Sequence, residues 1–152
     1  MKLTEKEKKI YDTIDFYNRY EKLSKEYQFE DCFENYSNEK VMDIIEQMGY
    51  KVRYFKKESF FQVKEKSNNL KFNFHICLKY GNVELIMGQT NTDTNEKIGN
   101  VFTMIIKRIE ISENIEKEGY MKDPKFRNYD DLKEILKDAF SIYEDFKKEV
   151  VG

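Results

Sequence analysis

His75 is the only histidine in the chain, and Cys77 stands two positions after it. In an extended segment side chains at i and i+2 point the same way, so this is the one place where an imidazole could activate a thiol. A general base or a metal ligand needs convergent partners, and Asn73 and Cys77 offer at most one between them. The pair therefore reads first as part of a half-exposed sheet face. No CxxC, HxH or HExxH spacing occurs, and Cys32 lies far from Cys77, so no metal site is expected. The 6 glycines form neither a P-loop nor GxGxxG, and no GxSxG elbow is present. Adjacent carboxylates (Glu30 and Asp31, Asp130 and Asp131, Glu144 and Asp145) sit among Lys and Asn, whereas an acid–base pair needs burial to separate its pKa values. The expectation is a protein without catalytic residues, cofactor or small-molecule substrate.

The elements that would carry these residues follow from hydrophobic periodicity. Thr4 and Glu7 have capping-box spacing, and Ile10, Ile14 and Tyr17 together with Phe16, Tyr20, Leu23 and Tyr27 recur every three or four positions, predicting one long helix over about 4–28. Asn38 opens a short second helix with Val41, Ile44, Ile45 and Met48 on one stripe, stopped by Gly49. The period then drops to two. Tyr50, Val52 and Tyr54, then Phe61 and Val63, then Leu70 through Tyr80, then Val83, Leu85 and Met87 alternate with polar residues. Turn signals at Lys57-Glu58-Ser59, Ser67-Asn68-Asn69 and Tyr80-Gly81-Asn82 separate them, so a four-stranded antiparallel meander over about 50–89 is expected. Ile98, Val101, Phe102, Ile105, Ile106 and Ile109 restore helical spacing, although their β-branched content makes strand the rival assignment for 97–111. Pro124 marks an extended connection that Phe126 pins to the core, and Asn128 caps a last helix with Leu132, Ile135, Leu136, Ala139, Tyr143, Phe146 and Val150 on its stripe. The result is one α+β domain over 1–152, with two N-terminal helices, four strands, and two C-terminal helices packed on one face of the sheet.

Composition agrees with a folded, charge-rich domain. Of the 152 residues, 39% are hydrophobic and 37% charged, yet 27 basic against 29 acidic residues leave a net charge of only −2. No global field advertises a polyanion or an anionic membrane. Residues 1–10 lack the apolar core of a secretory signal, no uncharged stretch reaches bilayer length, and 2 isolated cysteines suit a reducing compartment, so a cytoplasmic location is expected.

The distribution of charge says more than its total. Residues 1–49 carry 8 basic and 12 acidic groups, residues 50–90 carry 8 and 3, and residues 91–152 carry 11 and 14. A basic sheet thus stands against acidic helices. Asp130, Asp131, Glu134 and Asp138 on the last helix form a candidate surface for a basic protein, with Tyr11, Tyr17 and Tyr20 as candidate aromatic anchors. Lys51, Arg53, Lys64, Lys71 and Lys79 fall on the polar side of the strands, together with Gln62, Asn73 and His75, and form the alternative, an RNA- or single-stranded-DNA-binding face. That face has little Arg and no RNP-type aromatic pattern, and Lys on an open sheet also serves simply to keep it wet.

Val83-Glu84-Leu85-Ile86 leads through a polar loop to Ile98-Gly99-Asn100-Val101-Phe102, then Phe126, then Tyr129-Asp130-Asp131-Leu132-Lys133-Glu134-Ile135 and Tyr143-Glu144-Asp145-Phe146-Lys147. Across the stretch of about 65 residues that these segments span, the chain resembles the small cytosolic immunity proteins of bacterial polymorphic-toxin systems. The resemblance implies a non-enzymatic inhibitor that binds one cognate toxin and shields its active site or an exosite. It carries over no binding residue.

Overall fold

The computed structural model describes residues 2–117 and 119–152; Met1 and Glu118 lie outside the described residues. The N-terminal helical stretch is two helices rather than one, α1 (Glu5–Thr13) and α2 (Phe16–Glu26). Asp15 between them takes a left-handed conformation at φ 55°, which Asp tolerates better than most residues with a side chain. The break has a packing cause. On a straight helix Tyr11 lies off the stripe that carries Phe16 and Tyr20, and the turn at Asp15 brings all three into one core, with the Tyr11 and Phe16 rings 5.6 Å apart. The Thr4 and Glu7 side chains make the reciprocal capping box expected of them. Helix α3 (Asn38–Gln47) begins one residue earlier than expected, because Ser37 and not Asn38 is the cap.

Five antiparallel strands follow in meander order: β1 (Arg53–Phe55), β2 (Phe60–Ser67), β3 (Leu70–Lys79), β4 (Asn82–Asn91) and β5 (Lys97–Val101). Tyr80 and Gly81 both have positive φ, 56° and 75°, as a two-residue hairpin turn with the twist of the flanking strands requires. The fifth strand corrects the four-strand expectation and resolves the ambiguity of 97–111, which is strand up to Val101 and helix α4 (Phe102–Glu113) beyond it. Gly99 faces Gly88 across the β4–β5 pair. The connection to α5 (Tyr129–Val151) is extended: Val83 N–H donates to the Pro124 carbonyl and Phe126 N–H to that of Gly81, with the Phe126 ring fully buried. Asn128 caps α5 by accepting from the Asp131 N–H, as its position predicts.

Alternation sorts the strands into two faces. Phe61, Val63, Phe72, Phe74, Ile76 and Leu78 point inward with Val83, Leu85, Met87 and Ile98, and the helices cover them. Phe74 sits within 6.0 Å of the Phe102, Phe140 and Tyr143 rings, which ties the sheet to α4 and α5. One continuous hydrophobic cluster takes in residues from all the helices and from β2 to β5. Among the described residues no helix is long and apolar enough to cross a membrane.

Candidate functional site

The outer face of the sheet holds the two residues with nucleophile and base potential, and it does not join them into one device. His75 shares a hydrogen bond with the Gln62 amide (3.0 Å), and burial followed by the nearby Lys64 charge holds its pKa below the usual imidazole value. Cys77 is pushed up to about 11 by burial, then by the charge and hydrogen bond of Glu84. A neutral imidazole thus stands near a protonated thiol, the reverse of an activated pair. Cys32 is exposed and serves as an internal reference. Alkylation at pH 7.5 should label Cys32 at least about tenfold faster than Cys77; equal rates would restore the case for nucleophilic chemistry. Among the described residues no three of His, Cys, Asp and Glu converge as metal ligands.

The seven candidate partner-binding residues separate by burial. Tyr11 and Tyr20 are 2% and 0% exposed, so they are core residues and not surface anchors. Tyr20 stacks in the aromatic cluster around Phe16 and Phe102 and donates to Asp123 (3.3 Å). Tyr17 is half-buried, donates to Glu110 (2.7 Å), and has Lys117 over its ring. Asp131 is occupied by Arg127, whose backbone N–H and Nε each donate to it at 2.9 Å. The same guanidinium lies 3.6 Å from the Phe29 ring and holds the Asp131 carboxyl below its ordinary pKa.

Asp130, Glu134 and Asp138 remain solvent-exposed, spaced four apart along one side of α5. Like charges at this spacing repel. Glu26, in the last turn of α2 and 3.9 Å from Lys22, adds a third carboxylate whose charge reaches Asp138. Burial first, then Glu134 and Glu26, raises the Asp138 carboxyl above its ordinary pKa, with Lys22 and Lys137 offsetting part of the effect. The half-buried Tyr27 stands in this group, its hydroxyl pushed up by burial and then by Glu134, Asp138, Glu26 and Asp131. Tyr27 is the aromatic that sequence reasoning placed in the helical stripe and left out of the candidate anchors. Only the docking of α2 against α5 carries it to the acids.

A second strained carboxylate lies at the sheet edge. Asp123 is raised to about 6, mainly by burial and then by Glu84, with the Tyr20 hydroxyl acting in the opposite direction. A raised acid stabilises the fold fully below the unfolded pKa near 3.8, and that contribution disappears as pH rises through 6. Asp123→Asn keeps an acceptor for Tyr20. It should be more stable than the parent protein by about 1 kcal/mol at pH 8, after allowance for solvent screening, and show no such gain at pH 3.5. Denaturant titrations at the two pH values check this.

The basic candidates lie on the opposite side of the molecule from the helices. Arg53, Lys64 and Lys71 are on the outer face of the strands, and Lys79 ends β3 on the same side. Lys51 is exposed just before β1, outside the paired strands. Lys66 and Lys97 join this face in the folded chain, because Lys66 pairs with Lys71 and Lys97 with Thr90.

The chain matches no family model, no curated protein and no solved structure.

Proposed function

We propose that this protein is a cytoplasmic, non-enzymatic inhibitor of the immunity-protein kind, which neutralises a cognate bacterial toxin by direct binding. The supporting observation is the crowding of Glu26, Glu134 and Asp138 around Tyr27, where like charges are held together at the meeting of α2 and α5. A protein tolerates such repulsion where a partner relieves it, and a basic toxin surface would do so while the Tyr27 ring supplies rigid contact area. The resemblance of the C-terminal segments to immunity proteins points the same way.

The first partner to test is the product of the adjacent upstream gene. Charge reversal at Glu26, Glu134 and Asp138 together should weaken its binding at least about 100-fold and abolish protection of toxin-expressing cells. The milder pair Glu134→Gln and Asp138→Asn separates function from folding: it should raise the melting temperature by removing repulsion while still weakening the complex. Unaltered protection by the charge-reversed protein would overturn the interface. Absence of any complex with that gene product at about 100 μM would overturn the reading itself.

A further inference from the structure

The outer face of the sheet carries a site of different chemistry. Its middle row runs Arg53, Gln62, His75, Ile86 and Val101 across the five strands. On one side of that row Phe60 bridges Phe55 and His75, with ring centroids 4.8 and 4.7 Å away, and the Arg53 guanidinium lies 5.0 Å over Phe55. Phe55 and Phe60 take no part in the hydrophobic core. On the other side come Lys64, Asn73, Gly88 and Gly99, and then Lys66, Lys71, Thr90 and Lys97. The two facing glycines leave the backbone bare between the cations. Lys64, Lys66, Lys71, Asn73, Thr90 and Lys97 border a cavity of about 450 Å3, in the size range of pockets that hold small ligands.

The charges there are uncompensated. Lys64, Lys66, Lys71 and Lys97 make no ion pair among the described residues, whereas Lys22, Lys25 and Lys147 on the helices and Lys117 beyond α4 each meet a carboxylate. Glu65 borders the cavity but already accepts from Tyr143 and Lys147, both at 2.7 Å. Glu84 is the one acid that the strands place on the outer face, at the Lys79 end and away from Lys64, Lys66, Lys71 and Lys97. Mere solubility does not explain half-buried rings outside the core on the same face as those cations.

We infer that this face binds single-stranded nucleic acid, the phosphates lying along the lysine rows and a base stacking on the Phe55, Phe60 and His75 rings. Alternate residues of a strand are about 6.8 Å apart, so aromatic and lysine rows succeed one another within the span of a few nucleotides. Aromatics stack bases of any identity, and Gln62, Asn73 and His75 offer the hydrogen-bonding groups that base edges and ribose hydroxyls accept. A duplex would bury its bases away from the rings. This inference does not depend on the toxin reading, which concerns the opposite surface.

Fluorescence anisotropy with labelled ten-nucleotide rU and dT strands at about 50 mM salt tests it, the two strands distinguishing RNA from DNA. Either strand should bind, and log K should fall with log salt with a slope near −3, the value for about four phosphate contacts. Phe60→Ala should weaken binding about tenfold or more with the slope unchanged. Lys64→Glu with Lys71→Glu should instead flatten the slope, and the Glu26, Glu134 and Asp138 reversal should leave oligonucleotide affinity intact or higher. Phe60 lies outside the core, so circular dichroism of Phe60→Ala should match the parent. No binding of either strand at 50 mM salt overturns the inference. So does equal affinity for a duplex, polyphosphate or polyglutamate combined with indifference to Phe60→Ala.

Discussion

Phe102→Ala is expected to lower stability by about 4 kcal/mol, the upper range for removing a buried aromatic ring, and with it the melting temperature by roughly 8–16 °C for a chain of this size. Phe102 is fully buried at the start of α4, directly after β5. Its ring lies 5.1 Å from Phe16, 5.6 Å from Tyr20 and 6.0 Å from Phe74. The cavity left behind would open where α2, α4 and the sheet meet, and none of these can close it without moving the others. Val151→Ala, at a 58% exposed position, is the control and should change stability by less than about 0.5 kcal/mol. A comparable loss in both would mean that the aromatic cluster does not organise the core.

Gly99→Ala should cost roughly 3 kcal/mol or more. Its φ of 115° is closed to a residue with a Cβ, and a Cβ built there falls 2.1 Å from the Met87 carbonyl oxygen and 2.7 Å from the Gly88 Cα. Backbone must shift, so β5 should detach from β4 before the rest of the fold fails. Hydrogen exchange should show lost protection at 97–101 and 86–90 in particular. Because Lys97 leaves the outer face with β5, the same variant should also weaken oligonucleotide binding. Unchanged exchange in these segments would show that the close approach of Gly88 and Gly99 is dispensable.

The small net charge conceals two surfaces of opposite sign. The sheet's outer face gathers unpaired lysines, while α2 and α5 crowd carboxylates on the helical side. Some other charges are neutralised locally, Arg19 by Asp145 and Arg127 by Asp131, for example. Exposed pairs of this kind contribute little to stability.

How far the sequence could be read depended on whether the deciding interaction was local. The strict alternation from Leu70 to Lys79 fixes which side chains of β3 are buried, since a shift of one residue would expose the whole apolar set. Thr4 with Glu7 and Asn128 with Asp131 are contacts over three residues, and both caps form where the spacing puts them. The break at Asp15 has no Gly or Pro to announce it. It shows in sequence only as a phase change between two apolar stripes, each helical by itself. The β5–α4 boundary was ambiguous because Ile and Val suit a strand or a buried helix equally well, and Gly99 acquires its meaning from Gly88.

The candidate sites show the same division. Exposure of Asp130, Glu134 and Asp138 follows from their position opposite the apolar stripe of α5, and the polar side of Lys64, His75 and Cys77 follows from alternation. Burial of Tyr11 and Tyr20, capture of Asp131 by Arg127, and the meeting of Tyr27 with three carboxylates depend on residues distant in the chain or on the packing of α2 against α5. By itself the sequence determined the α+β class, most element positions and the basic and acidic segments, because periodicity, caps and composition act over a few residues. Only the tertiary structure decided which tyrosines are core, which charges stay unpaired and that Phe55, Phe60 and His75 gather on the same face as the lysine rows, because those properties arise from contacts across the fold.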